Sequence, residues 1–204
     1  MSIYGKYQAY LPLILEDMRQ EITAMNEEYQ KNHGQKLYEH FEGRVKSDKS
    51  MIEKCQRKQL PLTPESALIK NRDSIGVRIV TNFVDDIYTV IKLLELKKDI
   101  HIVKKKDYIK NAKPNGYRSY HLIIEKEVPF EDIKGQKPGH YFIEIQLRTI
   151  AMDTWASLEH EMKYKHNIKN PERISKELKR VADELASCDL SMQTIRQLIK
   201  EDES

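Results

Sequence analysis

The 204 residues are 39% hydrophobic and 33% charged, a balance that fits one globular domain with additional helix. The formal net charge is only +3, so any attraction for anions must come from local clusters of charge. No apolar run approaches the roughly 20 residues of a membrane span, and the two distant cysteines form no metal or redox motif. We expect a cytoplasmic protein with reduced thiols and with neither membrane nor DNA as a partner.

The chain opens with a predicted amphipathic helix over residues 8 to 31. Its apolar side chains recur at three- and four-residue spacings: Leu11, Ile14, Met18, Ile22, Met25 and Tyr29. The sequence "NHG" at 32 to 34 ends it. A second helix is predicted over about 48 to 59, where Met51, Ile52 and Cys55 turn inward and the basic side chains face outward or toward a ligand.

The middle of the chain alternates predicted strands and helices before two closing helices. Strands are predicted for "IGVRIVTNF" (75–83), "IHIVKKKDYI" (100–109), "SYHLIIEKEV" (119–128) and "HYFIEIQLRT" (140–149), and helices for "VDDIYTVIKLLELKK" (84–98), about 150–165 and about 171–200. This order predicts an α+β fold in which helices flank one mixed sheet.

Two basic clusters contrast with the nearly neutral whole. The stretch from Arg44 to Lys58 carries six Lys or Arg against two acids, and the stretch from Lys97 to Lys113 carries seven against two. Taken singly, each could be a solvated helix face or a charged edge strand. Taken together they predict a polyanion site, and phosphates are the commonest polyanions that Lys and Arg bind.

Two carboxylates lie where a site on strands would need them. Asp73 precedes the strand "SIGVRIV", and Glu144 lies within "FIEIQLR", where alternation puts Gln146 and Arg148 on the same face. Mg²⁺ prefers one or two carboxylates together with phosphate oxygens. The alternatives are a capping or turn role for Asp73 and a salt bridge from Glu144 to Arg78 or Arg148.

The stretch "KPNGYRSYHL" places an exposed-looking Tyr117 directly after an Asn-Gly turn. Beside phosphate-binding cations, its ring offers a face on which a nucleobase can stack. Arg118, Ser119 and His121 should alternate along the strand that follows. The alternative is a hairpin turn with a surface tyrosine. Phosphate-loop, dinucleotide-binding, zinc-protease and serine-hydrolase motifs do not occur.

Four long motifs resemble the synthetase domain of the RelA/SpoT family. They are "RVKSDKSMIEKCQRK", "DSIGVRIV", "DYIKNAKPNGYRSYHL" and "EIQLRTIAMDTWASLEHEMKYK", and they cover roughly residues 40 to 166 in order. The chain is similar to the stand-alone small alarmone synthetases of that family. The resemblance implies a nucleotidyltransferase-like mixed sheet in a single domain, 1–204, with a core of about 36–166 between the two terminal helices.

The resemblance also implies an activity, which is transfer of the β,γ-pyrophosphate of ATP to the 3′-hydroxyl of GDP or GTP with Mg²⁺ as cofactor. It implies that Arg44 and Arg78 bind the adenine of ATP between them. It also implies that the ATP phosphates are bound by Lys46, Ser50, Lys54 and Arg57. It implies that Asp73 is a catalytic residue that binds the metal. It implies that Glu144 is a catalytic residue that lies near both the metal and the 3′-hydroxyl. It assigns Tyr117 to stacking on guanine, with Lys106, Lys113, Asn115, His121 and Gln146 on the acceptor side.

The sequence leaves two other functions open. Some small relatives act as toxins that transfer pyrophosphate to tRNA or to adenosine nucleotides, and Tyr117 would stack on any purine. The chain could instead be a non-catalytic RNA-binding module that uses its lysine-rich stretches, although RNA is not the partner we expect. That reading leaves Asp73 and Glu144 without a role.

The last predicted helix carries a heptad-like apolar seam. Ile174, Leu178, Val181, Leu185, Cys188, Met192, Ile195 and Ile199 recur at alternating four- and three-residue intervals. Together with the resemblance, the seam predicts a homo-oligomer, specifically a tetramer, assembled through the terminal helices. The alternative is an intrachain pairing with the apolar stripe of the first helix.

Overall fold

The computed structural model of the protein describes residues 2–165 and 170–202. Five strands form one sheet: β1 (His40–Val45), β2 (Ile75–Thr81), β3 (Ile100–Asp107), β4 (Tyr120–Val128) and β5 (Gly139–Thr149). Their order across the sheet is β1-β2-β5-β4-β3. The central pair β2 and β5 is parallel and the other neighbours are antiparallel, which confirms the predicted mixed sheet.

Helices flank the sheet as predicted. They are α1 (Tyr10–His33), α2 (Asp48–Arg57), α3 (Val84–Glu95), α4 (Ile150–Lys165) and α5 (Pro171–Asp202), with a short 3₁₀ helix at Gly5–Ala9 and a π-helical turn at Ser66–Lys70. Within the described residues, no helix is both long and apolar enough to span a membrane. Residue 166, the expected end of the core, lies outside the described residues.

Local sequence signals account for where α1 ends and α2 begins. Gly34 adopts a left-handed conformation with φ of 70°, and its N–H donates to the carbonyl of Gln30. This is the glycine cap that the "NHG" sequence predicts. Ser47 caps α2 by accepting a hydrogen bond from the backbone N–H of Ser50 at 3.3 Å.

The main core lies between α1 and the apolar side chains of the sheet. Leu11, Ile14, Met18 and Ile22 of α1 are fully buried and share one cluster with the inward residues of β2, β4 and β5. Burial of each such side chain contributes roughly 1.5–3 kcal/mol to folding. The stripe of α1 is therefore used within the main core.

The strand β1 was missed by the sequence prediction. Its sequence "HFEGRV" contains a glycine and two charged side chains, and its residues alternate between exposed and half-buried. As an edge strand, β1 has no continuous apolar run of the kind that identifies a buried strand. Its pairing with β2 places Arg44 opposite Gly76.

Helix α5 packs against α3 and α4 through one stripe of its surface. Of the predicted heptad seam, only Leu178 and Leu185 turn inward, toward Trp155 of α4. The other members are exposed: Ile174, Val181, Cys188, Met192, Ile195 and Ile199. An apolar face of α5 therefore has no cover from this chain in the described residues.

Candidate active site

One face of the sheet carries a row of polar side chains across all five strands. Residues paired across neighbouring strands share a face, and the register pairs Lys106 with His121, His121 with Gln146, Gln146 with Arg78, and Arg78 with Glu42. The row joins predicted acceptor-side residues on β3 and β4 to a predicted adenine-side residue on β2. The sheet register alone thus brings the two predicted halves together.

A cavity opens on this face beside β1 and β2. Its lining contains six of the predicted residues: Arg44, Lys46, Asp73, Arg78, Glu144 and Gln146. Gly76 also lines the cavity, between Arg44 on one side and Glu144 on the other. Because glycine has no side chain, the space between the cation and the carboxylate stays open.

Asp73 is a buried residue in the lining of this cavity. Its Oδ2 contacts the ammonium groups of both Lys46 and Lys54, while its Oδ1 is buried without a hydrogen-bond partner. A buried carboxylate oxygen that lacks a partner is costly unless a ligand or ion satisfies it. Asp73 therefore fits a divalent cation better than a capping role.

The donor set around the cavity suits Mg²⁺ rather than a transition metal. The described residues contain no group of three or more His, Cys, Asp or Glu that could hold a metal ion. Asp73 and Glu144 nevertheless line one cavity together with cations suited to phosphate. Mg²⁺ is commonly held by one or two carboxylates, with waters and substrate phosphates completing the octahedron.

Helix α2 presents the remaining predicted phosphate ligands. Ser50, Lys54 and Arg57 follow one another at four- and three-residue intervals, which places them along one side of the helix. Lys54 reaches Asp73, whereas Ser50 and Arg57 are exposed. The helix thus extends a basic surface outward from Asp73.

Glu144 lies between the cavity and the side chains of β4. Its Oε2 accepts a hydrogen bond from Gln146 Nε2 at 3.2 Å, and its Oε1 is 3.7 Å from His121 Nδ1. Burial by itself raises the pKa of Glu144, but the nearby His121, Gln146 and Lys54 more than compensate, and the pKa falls to about 2. Glu144 is therefore ionised at neutral pH.

Asp153 is a site residue that the sequence analysis missed. Its Oδ1 lies 2.9 Å from Arg148 and 3.4 Å from Arg78, so one carboxylate on α4 holds both guanidinium groups. The expected alternative, in which Glu144 pairs with Arg78 or Arg148, is not the arrangement seen. No local pattern distinguishes Asp153 from an ordinary acidic residue in the first turn of a helix.

The predicted turn after β3 forms a tight loop, which we call the Asn-Gly loop (residues 113–117). Its ends are joined by a hydrogen bond from Lys113 N–H to Tyr117 O at 3.1 Å, and Asn115 Oδ1 accepts from Tyr117 N–H. The Asn115 amide donates to Glu159 Oε1 at 3.2 Å. These bonds shape the loop and connect it to α4.

Tyr117 is half-buried, so the expectation of an exposed tyrosine was wrong. Its hydroxyl is 2.8 Å from His121 Nε2 and accepts a hydrogen bond from Arg148 at 3.0 Å. Its ring packs edge-on against Trp155, and the ammonium of Lys113 lies 4.6 Å from the ring centroid. The ring is held from several sides, with a cation at its face.

The residues after Tyr117 do not alternate along a strand as predicted. Strand β4 begins only at Tyr120, and Arg118 points to α5, where it contacts Asp183. Ser119 is buried and donates a hydrogen bond to the carbonyl of Leu147. Only His121 takes its predicted place on the site face.

Comparison with known proteins gives a consistent picture. Residues 43–169 match the family model described as the region found in RelA / SpoT proteins. The chain is 42% identical over 169 residues to the GTP pyrophosphokinase YwaC of Bacillus subtilis, covering 83% of this chain and 79% of YwaC. It is 35% identical over 187 residues to the GTP pyrophosphokinase YjbM of the same organism, covering 92% and 85% respectively.

The fold is also similar to a solved structure. It matches the crystal structure of the small alarmone synthetase 1 from Bacillus subtilis bound to its product pppGpp, with a TM-score of 0.82. The two chains are 32% identical, and the match covers 96% of this chain and 97% of the other.

Proposed function

Because the chain belongs to the RelA/SpoT family, we propose that it is a GTP pyrophosphokinase that makes the alarmones ppGpp and pppGpp. It transfers the β,γ-pyrophosphate of ATP to the 3′-hydroxyl of GDP or GTP and releases AMP. The observation that carries the proposal is one cavity that Asp73 and Glu144 line together with cationic side chains, on the sheet face whose register continues from Gln146 to His121.

The donor nucleotide occupies the cavity beside β1 and β2. Arg44 and Arg78 take the adenine between them, because a guanidinium plane stacks well on an aromatic ring. The phosphates run toward α2, where Lys46, Lys54, Ser50 and Arg57 bind them. The two lysines, now held by Asp73, then exchange part of that contact for phosphate oxygens.

Asp73, with Glu144 nearby, would hold Mg²⁺, and the bound ion would supply neutralisation of phosphate charge and orientation of the attacked β-phosphorus. The unpartnered Oδ1 of Asp73 supports this assignment. The chain's own cations stabilise the negative charge that grows on the leaving AMP.

The acceptor nucleotide binds on the side of β4 and the Asn-Gly loop. Tyr117 stacks on the guanine, while Lys106, Lys113, Asn115, His121 and Gln146 line this side. Glu144 accepts the proton of the 3′-hydroxyl as a general base or would hold the metal beside it. Its low pKa keeps it ionised, which favours the metal role, because a carboxylate with so low a pKa is a weak base. Binding both nucleotides in one cleft removes the entropy cost of their encounter.

The test is to incubate the protein with Mg²⁺ and ATP labelled in the β,γ-phosphates, together with GDP, GTP, ATP or tRNA in turn. We expect the label on the guanosine nucleotides, with AMP formed in equal amount. Labelled tRNA, or an adenosine nucleotide that carries labelled pyrophosphate on its 3′-hydroxyl, would instead support a toxin-type acceptor. RNA binding with no transfer to any acceptor would support a binding module.

We also propose that residues 1–204 act as one synthetase domain, with a core of about 36–166, and that the protein works in the cytoplasm. One sheet and one main core cluster, which includes residues of α1, support the single domain. The two free cysteines suit a reducing compartment, where ATP and guanosine nucleotides are also available.

The exposed apolar face of α5 supports assembly into a homo-oligomer, for which the resemblance to the small alarmone synthetases implies a tetramer. Met192, Ile195 and Ile199 are each about half exposed on a helix whose other side is packed. Contiguous exposed apolar surface of this kind marks an interface. We expect Met192→Asp with Ile195→Asp to give a smaller species by light scattering. The matched control, Ser187→Asp with Thr194→Asp, changes exposed polar positions to the side of this face and should keep the wild-type mass.

A further inference from the structure

The Asn-Gly loop lies directly against the backbone of α5. Gly116 is buried with φ of +91°, and a Cβ built there would lie 2.5 Å from Ala182 Cβ and 3.1 Å from Lys179 Cα. Both the conformation and the space exclude a larger residue. The loop and the helix therefore touch without any intervening side chain on the loop.

Arg118 stabilises this contact by hydrogen bonds to both the loop and the helix. One of its terminal nitrogens, Nη1, donates to the carbonyls of Gly116 and Ala182 at 3.3 and 3.2 Å, and Nη2 bonds Asp183 Oδ1 at 3.0 Å. Only 20% of its side chain is exposed. Arg118 thus joins the loop backbone to both the backbone and a side chain of α5.

The ring of Tyr117 rests on a small apolar cluster, separate from the main core, which we call the α4–α5 cluster. The cluster contains Trp155, Ala156, Leu178 and Ala182, with Leu185 packed against it. The indole N–H of Trp155 donates to the carbonyl of Leu178 at 2.8 Å, which locks the two helices together at this point. Any shift of α5 would therefore move the support beneath the Tyr117 ring.

We propose that α5 is the back wall of the acceptor subsite and that Arg118 is a positioning residue for Tyr117. The inference rests on the proposed function, in which Tyr117 stacks on the acceptor base. Among the described residues, the lining of the donor cavity includes neither Arg118 nor any residue of α5. Loss of the Arg118 contacts should therefore affect the acceptor and spare ATP.

The first experiment compares Arg118→Ala, Arg118→Lys and the control Arg180→Ala. Arg180 lies exposed on α5, where it forms ion pairs with Glu177 and Glu184 of the same helix. Arg118→Ala should raise the acceptor KM roughly 10- to 100-fold, as expected for lost hydrogen bonds to a charged group. The KM for ATP should stay within about twofold, Arg118→Lys should lie between, and Arg180→Ala should match wild type.

A second variant approaches the same contact from the helix. Ala182→Val adds bulk where Gly116 packs, so it should also raise the acceptor KM without changing the KM for ATP. Equal rises in both KM values, in protein with wild-type thermal stability, would contradict the inference. So would an unchanged acceptor KM in both Arg118→Ala and Ala182→Val.

Trp155 supplies a readout that does not depend on turnover. It is the only tryptophan in the sequence, and its ring centroid lies 6.3 Å from that of Tyr117. Arg118→Ala should shift its emission in the absence of nucleotide, and Arg118→Lys, which can still donate hydrogen bonds, should give a smaller shift. An unchanged spectrum in Arg118→Ala would overturn the positioning role.

The two proposals fail in different ways. Wild-type protein that transfers no label to GDP or GTP would contradict the proposed function, and the claim about the acceptor would fall with it. If the wild-type protein is active but Arg118→Ala leaves the acceptor KM unchanged, only the proposed role of α5 is contradicted.

Discussion

The two halves of the site are built by different physical means. The donor half, around Asp73, consists of charged side chains whose charges are already paired: Lys46 and Lys54 contact Asp73, and Asp153 holds Arg78. The acceptor half consists of a loop whose tyrosine is held by aromatic packing and by hydrogen bonds to its hydroxyl.

This difference determines what each half tolerates. In the donor half the balance of charge matters, because removing one partner leaves a buried charge uncompensated. In the acceptor half the fit of side chains matters, because the loop takes its position from α4 and α5. Glu144 belongs to both, since it lines the donor cavity and lies beside His121.

The largest effect should come from the residue shared by the two halves. Glu144→Gln preserves the shape of the side chain but removes its charge, and we expect turnover to fall about 10²- to 10⁴-fold while both nucleotides still bind. The check is steady-state kcat together with calorimetric titration of each nucleotide. Near-normal turnover would remove Glu144 from the mechanism.

The free energy of unfolding should depend on pH in a way that reveals the ionisation of Glu144. Its folded-state pKa of about 2 lies below the ordinary 4.5, so it stabilises the fold above pH 4.5 and loses that contribution as the pH falls toward 2. The difference in unfolding free energy between wild type and Glu144→Gln should shrink by about 2 kcal/mol between pH 5 and pH 3. Urea unfolding at each pH measures it. A constant difference would contradict the lowered pKa.

Asp73→Asn should disable the donor half selectively. We expect kcat/KM for ATP to fall at least about 10²-fold, since even indirect partners of metals contribute 10- to 100-fold. The dependence of ATP binding on Mg²⁺ should disappear in calorimetry, with the KM for GDP little changed. Asp48→Asn, which alters a carboxylate bonded to Ser2 Oγ, is the matched control and should retain that dependence.

Substitutions of Tyr117 should have smaller effects than those of Glu144 and Asp73, because they alter packing and stacking in the acceptor half and remove no charge. Tyr117→Ala should raise the acceptor KM roughly 5- to 150-fold, the range that 1–3 kcal/mol of base stacking implies. Tyr117→Phe keeps the ring but loses the hydroxyl that bonds Arg148 and His121, so a rise of up to about tenfold is expected. Equal changes in the KM for ATP would show that the tyrosine supports the whole fold instead.

The sequence alone determined those features that depend on local periodicity and on cap chemistry. Strand alternation placed Glu144, Gln146 and Arg148 on one face, and hydrogen bonds link them in that order. Gly34 ended α1, and the spacing along α2 set Lys54 beside Arg57. Such features follow from the geometry of a single element, which any stretch of chain carries with it.

Only the tertiary structure decided which distant residues meet. Arg118 bonds Asp183, 65 residues away, and Asp153 joins Arg78 to Arg148 across two strands and a helix. The burial of Tyr117 and the pairing of β1 likewise depend on how helices and strands are packed together. No periodicity encodes these contacts, because they depend on the shape and charge of surfaces that exist only once the chain has folded.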